Sequence, residues 1–168
     1  MNKVVQVLMH EHQLIKHAIE HTRSTISAVQ ARDLTIDALR ERIEFFRKYA
    51  DGYHHYKEEE VLFPTMIDKN EMLEYGVVHE MLQNHEDFRQ LLSELEIAVG
   101  ENDIAAFEDK FTMYAEMMLE HIAVEDDEVF QIAETLLSED ELLTVLYRFE
   151  DCDRELGGDE KARWEQKA

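Results

Sequence analysis

The chain has 168 residues, 39 acidic and 17 basic, and a net charge of −22, a field that repels nucleic acid and anionic membrane surfaces. Five glycines and one proline are too few to punctuate a turn-rich β fold, and no apolar run is long enough for a membrane span or a signal peptide. The one cysteine, Cys152, excludes an internal disulfide or a thiolate cluster, so the expectation is a cytoplasmic helical domain whose unusual ingredient is nine histidines.

Apolar positions recur at three- and four-residue steps almost throughout. They predict helices over about 3–30, 34–66, 71–99, 103–136 and 139–156, with a last turn near 160–167. Asp33 or Thr35 is expected to cap the second helix, and Pro64 to end or kink it near Phe63. The Gly100 to Asp103 stretch closes the third helix and caps the fourth. Ser138 and Glu141 read as a capping box, and Gly157-Gly158 stops the fifth. Long helices with short connections specify an all-α fold, an antiparallel up-down four-helix bundle over 1–136. A C-terminal helical extension over 137–168 is expected to pack on it.

Unrolling each helix at about 100° per residue sorts the histidines. On the first, Leu8, Ile15, Ile19, Ile26 and Val29 form an apolar stripe that includes His12, while His10, His17 and His21 lie opposite. On the second, the stripe of Ile36, Leu39, Ile43, Phe46, Ala50 and Val61 includes His54 and Glu58, and His55 and Glu59 project off it. On the third, Val78, Met81, Leu82, Phe88, Leu92 and Val99 surround His85, and His79 points away. On the fourth, Phe107, Phe111, Tyr114, Met117, Met118, Val129 and Ile132 flank His121 and Glu125. Each long helix sends one histidine inward, and alternate helices add a carboxylate one turn later.

A lone histidine on an apolar face is ordinarily a hydrogen-bonded core residue. Two carboxylates beside four imidazoles are different, because a buried carboxylate without a partner is strongly destabilising. Lys57, Arg47 and Arg89 approach the stripe, but their long side chains reach out to water. A metal centre is the simpler account. The i, i+4 spacing of His54 with Glu58 and of His121 with Glu125 puts nitrogen and oxygen donors on one face. The pattern also repeats: Glu11-His12 matches Asn84-His85, and the interval from His54 to Phe63 recurs from His121 to Phe130. Two related hairpins facing each other build a site of approximate twofold symmetry. Imidazole and carboxylate without sulfur suit iron, manganese or zinc.

These residues resemble the hemerythrin-like, or HHE cation-binding, domain family over about 4–135. The resemblance is carried by Leu8-Met-His-Glu-His12-Gln-Leu-Ile15, by His54-His-Tyr-Lys-Glu58 continuing to Pro64, by Gly76 to Arg89 around Asn84-His85, and by His121-Ile-Ala-Val-Glu125 continuing to Phe130. It implies a four-helix bundle holding two iron ions joined by an oxo or hydroxo group, with manganese or zinc as alternatives. The ligands it selects are His12, His54, Glu58, His85, His121 and Glu125. Oxygen-carrying members have a fifth histidine one turn before the third-helix ligand, where this chain has Met81; Leu8 holds the matching place on the first helix. Their last carboxylate is an aspartate five residues after its histidine, here Asp126. The stripe favours Glu125, and Asp126 stays open as the alternative.

Two six-coordinate ions offer twelve positions, of which four histidines, two bridging glutamates and one bridging oxygen fill ten. Two vacancies disfavour a pure oxygen carrier. They favour a protein that binds O2, NO or peroxide, or senses redox or iron state, without turning over an organic substrate. The alternatives are a di-iron enzyme or iron donor, reducing NO or peroxide or repairing iron-sulfur clusters, and a structural helical protein with a vestigial or different metal. Tyr114, two turns before His121, is either a gate for such a site or an ordinary core tyrosine. Cys152 reads as a spectator. The amphipathic 139–156 helix either covers the bundle or meets a protein partner or a second copy of the chain.

Overall fold

Asn2 accepts a hydrogen bond from the Val4 amide at 2.8 Å and starts α1 (Lys3–Gln30). The computed structural model describes residues 1–168. After α1 come α2 (Asp37–Phe45), two π-helical stretches (Phe46–His55 and Glu58–Leu62) and α3 (Phe63–Lys69), which together make one rod. A 3₁₀ turn (Glu71–Tyr75) leads into α4 (Val77–Gly100). Then α5 (Ile104–Val124) passes through a third π-helical stretch (Glu125–Val129) into α6 (Phe130–Leu136), and α7 (Glu139–Leu156) and α8 (Gly158–Lys167) follow. There is no strand, and no helix is long and apolar enough to cross a membrane.

The bundle consists of α1, the α2–α3 rod, α4 and the α5–α6 rod. Side-chain pairs across each seam run in opposite sequence order. His12 meets His54 while Thr22 meets Arg42, and His85 meets Glu59 while Glu96 meets Arg47. His121 meets His85 while Lys110 meets Glu94, and Asp126 meets His12 while Glu108 meets Gln30. Neighbouring rods are therefore antiparallel, as short connections require.

Asp103 caps α5 through the Ala106 amide at 2.9 Å, Ser138 and Glu141 form the capping box of α7, and Gly157 ends α7 at a φ of 89°. One expectation needs correction: neither Asp33 nor Thr35 caps the second rod, whose N-cap is Ile36 without a side-chain bond. Near Pro64 the rod changes from π-helix to α-helix, at Leu62–Phe63. The π-helical turn ahead places Pro64 in the first turn of α3, where a missing N–H is tolerated, and Arg148 of α7 donates to the Glu60 carbonyl at 2.9 Å.

The apolar interior falls into two clusters. The larger includes Ile15, Ile19, Ala50, Phe88, Leu92 and Met118; the smaller includes Val4, Leu8, Val61, Met81, Val129 and Phe130. From the extension, Leu142, Val145 and Phe149 join the smaller cluster, and Cys152 and Trp164 the larger. Burial raises the Cys152 thiol pKa, so the thiol is protonated at neutral pH. On each rod the clusters meet at a histidine. His12 lies between Leu8 and Ile15, His54 between Ala50 and Val61, His85 between Met81 and Phe88, and His121 between Met118 and Val129.

Candidate metal centre

His12, His54, Glu58, His85, His121 and Glu125 converge in that boundary layer, each at most 2% exposed. His12 Nε2 lies 3.0 Å from His54 Nε2, and His85 Nε2 lies 3.2 Å from His121 Nε2. Glu58 spans the two pairs, with Oε1 3.5 Å from His54 and Oε2 3.5 Å from His85. Glu125 does the same with one oxygen, since its Oε2 is 3.2 Å from both His12 and His121.

His55 is a correction to the sequence reading. Unrolled at 100° per residue it leaves the stripe, yet it is 1% exposed and faces the centre. The π-helical stretch Phe46–His55 is the reason, because i→i+5 bonding turns the chain by less per residue and lets His54 and His55 both face inward. Gly52 suits the wide turn: a Cβ there would stand 3.2 Å from the Arg47 carbonyl oxygen. The His55 ring stacks on His85 with centroids 3.9 Å apart, its Nδ1 donates to Asp51 at 3.4 Å, and its Nε2 has no partner. Donor atoms of His55, Glu58, His85 and His121 lie within 4.8 Å of one another, as do those of His12, His54, Glu58 and Glu125. The layer therefore holds five imidazoles. Met81 itself is apolar core.

The sequence repeat organises an outer layer of acceptors that the stripe analysis did not single out. Glu11, just before the α1 histidine, accepts from His54 Nδ1 at 2.9 Å; its counterpart Asn84 accepts from His121 Nδ1 at 3.2 Å. Glu59, just after one inner carboxylate, accepts from His85 at 2.7 Å, and Asp126, just after the other, accepts from His12 at 2.7 Å. Asp126 thus stands behind His12, and Glu125 is the inward carboxylate. The phenylalanines repeat too: Phe130 stacks on His12 and Phe63 on His85.

Charge breaks the symmetry at Glu11, opposite the neutral Asn84. Lys57, expected to reach water, is wholly buried and pairs with Glu11, where the other half has Val124. Its ammonium lies 4.1 Å from the Tyr53 ring centroid and 5.0 Å from that of Phe149.

The outer acceptors fix the tautomers. A carboxylate only accepts, so the ring nitrogen facing it carries the N–H, and each Nε2 turns a lone pair toward the centre. Both oxygens of Glu58 and of Glu125 also lack a hydrogen-bond partner. Facing lone pairs and orphaned buried oxygens call for a cation among them. Burial holds the His54 and His85 pKa values well below the ordinary imidazole value and lowers that of His55, so these rings are neutral donors. Burial and the Glu125 charge push Glu58 well above the ordinary carboxylate range. Burial acts on Glu125 in the same sense, but His121 and His12 outweigh it and hold Glu125 low. The His12 pKa is raised, because Asp126 and Glu125 together overcome its burial. A proton there is the cation the protein can supply by itself.

A cavity of about 430 Å³ lined by Glu80, Asn84, Glu120 and His121 adjoins the layer. Tyr114 packs among Phe46, Phe88 and Phe111 and makes no hydrogen bond to the centre, which is the core-tyrosine outcome. A family model, the hemerythrin HHE cation binding domain, matches residues 3–133. Comparison with curated proteins and with solved structures returned no match.

Proposed function

Because the chain belongs to the hemerythrin HHE cation-binding family, we propose that it holds two iron ions in the polar layer. There it binds O2, NO or peroxide, or reports redox or iron state, without turning over an organic substrate. The observation that carries this reading is the inward ring of imidazole lone pairs around two carboxylates whose four oxygens have no hydrogen-bond donor. His12, His54, Glu58, His85, His121 and Glu125 are the residues that would hold the ions, and nitrogen with oxygen donors suits iron or manganese ahead of zinc. Bound iron supplies open coordination positions and one-electron redox chemistry to a small molecule that reaches it.

The protein's own part is orientation. Outer acceptors fix each ring, and Phe63 and Phe130 stack against the faces of His85 and His12. Five imidazoles rather than four remove the reason for setting reversible O2 binding aside, and it stands as a second reading. Catalytic reduction of NO or peroxide, or iron donation, is the enzymatic alternative.

Metal analysis of the full chain expressed in iron-supplemented medium tests the proposal. About two irons per chain are expected, with ferric absorption in the near ultraviolet. One metal per chain, or zinc alone, overturns it. Peroxide and NO decay assays on the loaded protein separate binding from turnover.

A further inference from the structure

We propose that His55 is itself a metal ligand, delivered by a π-helical stretch found in only one half of the molecule and standing in for the imidazole absent at Met81. The inference rests on the two-metal reading above.

The internal repeat is the argument. His54 pairs with His121 and Glu58 with Glu125, and the π-helical stretch Glu58–Leu62 has its counterpart in Glu125–Val129. The stretch Phe46–His55 has none, since the corresponding part of α5 is ordinary α-helix. Within it, three residues depart from the repeat together. Asp51, Gly52 and His55 occupy the places of Met118, Leu119 and Ile122. They form one device: Gly52 accommodates the wide turn, His55 is swung inward by it, and Asp51 receives His55 Nδ1 at 3.4 Å. Arg89 then ties this device to the rest of the centre. It donates to Asp51 at 3.0 Å and to Glu59, the acceptor of His85, at 2.7 Å, so His55 and His85 are oriented as a pair.

A histidine kept for packing would satisfy its second nitrogen or be replaced by an aliphatic side chain, as Ile122 is in the other half. His55 instead buries Nε2 without a partner, among the donors of Glu58, His85 and His121. An orphaned polar atom of this kind is destabilising unless something binds it. With His55 counted, two six-coordinate ions held by this donor set would keep one exchangeable position where four histidines would leave two.

The first test uses the unaltered full chain loaded anaerobically with ferrous iron. Each ligated imidazole places its Nδ1–H outside the diamagnetic proton window, and that signal vanishes in D2O. Five such resonances are expected; four, in a protein containing two irons, overturn the proposal. Fewer than two irons per chain would instead be the failure of the two-metal reading. The second test compares the parent, His55→Ala and His55→Ala/Met81→His in azide titrations of the ferric protein. His55→Ala is expected to take two azides per centre instead of one, or to lose about half its iron, and Met81→His to reverse the change. Parent iron content and a single azide in His55→Ala overturn the proposal. If His55→Ala does not fold, the proton count on the unaltered chain decides.

Discussion

Replacing Lys57 with methionine tests how buried charge is balanced behind His54. The ammonium is fully buried, pairs with Glu11 and faces the rings of Tyr53 and Phe149. Methionine keeps most of the apolar stem and removes the charge, which leaves Glu11 with His54, at 2.9 Å, as its remaining partner. Removing one member of a buried ion pair costs about 3–5 kcal/mol. At about 2–4 °C per kcal/mol for a chain of this size, Tm of the metal-free protein falls by about 6–20 °C. Adding Glu11→Gln removes the stranded charge while keeping an acceptor for His54 Nδ1, the role Asn84 plays for His121, so the double variant recovers more than half of the loss. Thermal unfolding followed by circular dichroism at fixed pH measures both. A drop under about 2 °C for the single variant, or a double variant no more stable than the single, would refute the charge-balance reasoning.

Glu58→Gln should separate stability from metal binding. A carboxyl raised above its unfolded value contributes stability in full below that value and loses it as pH rises through the folded value, so the variant should unfold at higher temperature than the metal-free parent at neutral pH. It should also bind iron more weakly by over about tenfold, measured by competition with a chelator; a less stable metal-free variant contradicts the argument. Alanine at the exposed His10, His17, His21 or His79 should leave iron content at the parent level, and loss of iron in any of them would misplace the centre. Glu141, held at about 2 by Lys69 and the capping interaction with Ser138, is the opposite case of a lowered carboxyl. Its contribution is present above 4.5 and lost as pH falls toward about 2, so the Tm difference between parent and Glu141→Gln should close across that window.

The six inner donors were legible because each lies on a helix whose apolar neighbours fix the rotation, and because a carboxylate one turn after a histidine recurs at Glu58 and Glu125. His55 was not, since hydrophobic spacing assumes one helical period and Phe46–His55 follows a wider one. The local trace of that change is Gly52 two residues ahead of the histidine pair. The second acid of each charge run, Glu59 and Asp126, reads as part of a solvated face until the partner rod is in place and each proves to anchor a histidine. Glu11 and Lys57 are far apart in sequence, and their burial depends on α1 and α7 closing around them. The substitution of Asn84 and Val124 at the matching places makes charge and countercharge change together between the halves. The Glu60 carbonyl that Pro64 strands is claimed by Arg148 from the extension, a partner that local sequence does not reveal.

The division of the apolar interior into two clusters determines how this molecule comes apart. A bundle unfolds as one unit when its hydrophobic contacts are continuous from end to end, and local opening follows where they are interrupted. Here the interruption falls at the same level on all four rods, at His12, His54, His85 and His121. Ions held in that layer would tie all four rods to a common centre, so neither end is expected to open without releasing metal, and amide exchange at both ends should follow a single high barrier. Without metal the layer is held by its inter-rod hydrogen bonds and by helix continuity, and the amides of the two ends are expected to separate into two families that exchange at different rates. Metal would thus act as the clasp between two half-cores, and occupancy of the centre would be readable as the mechanical unity of the bundle.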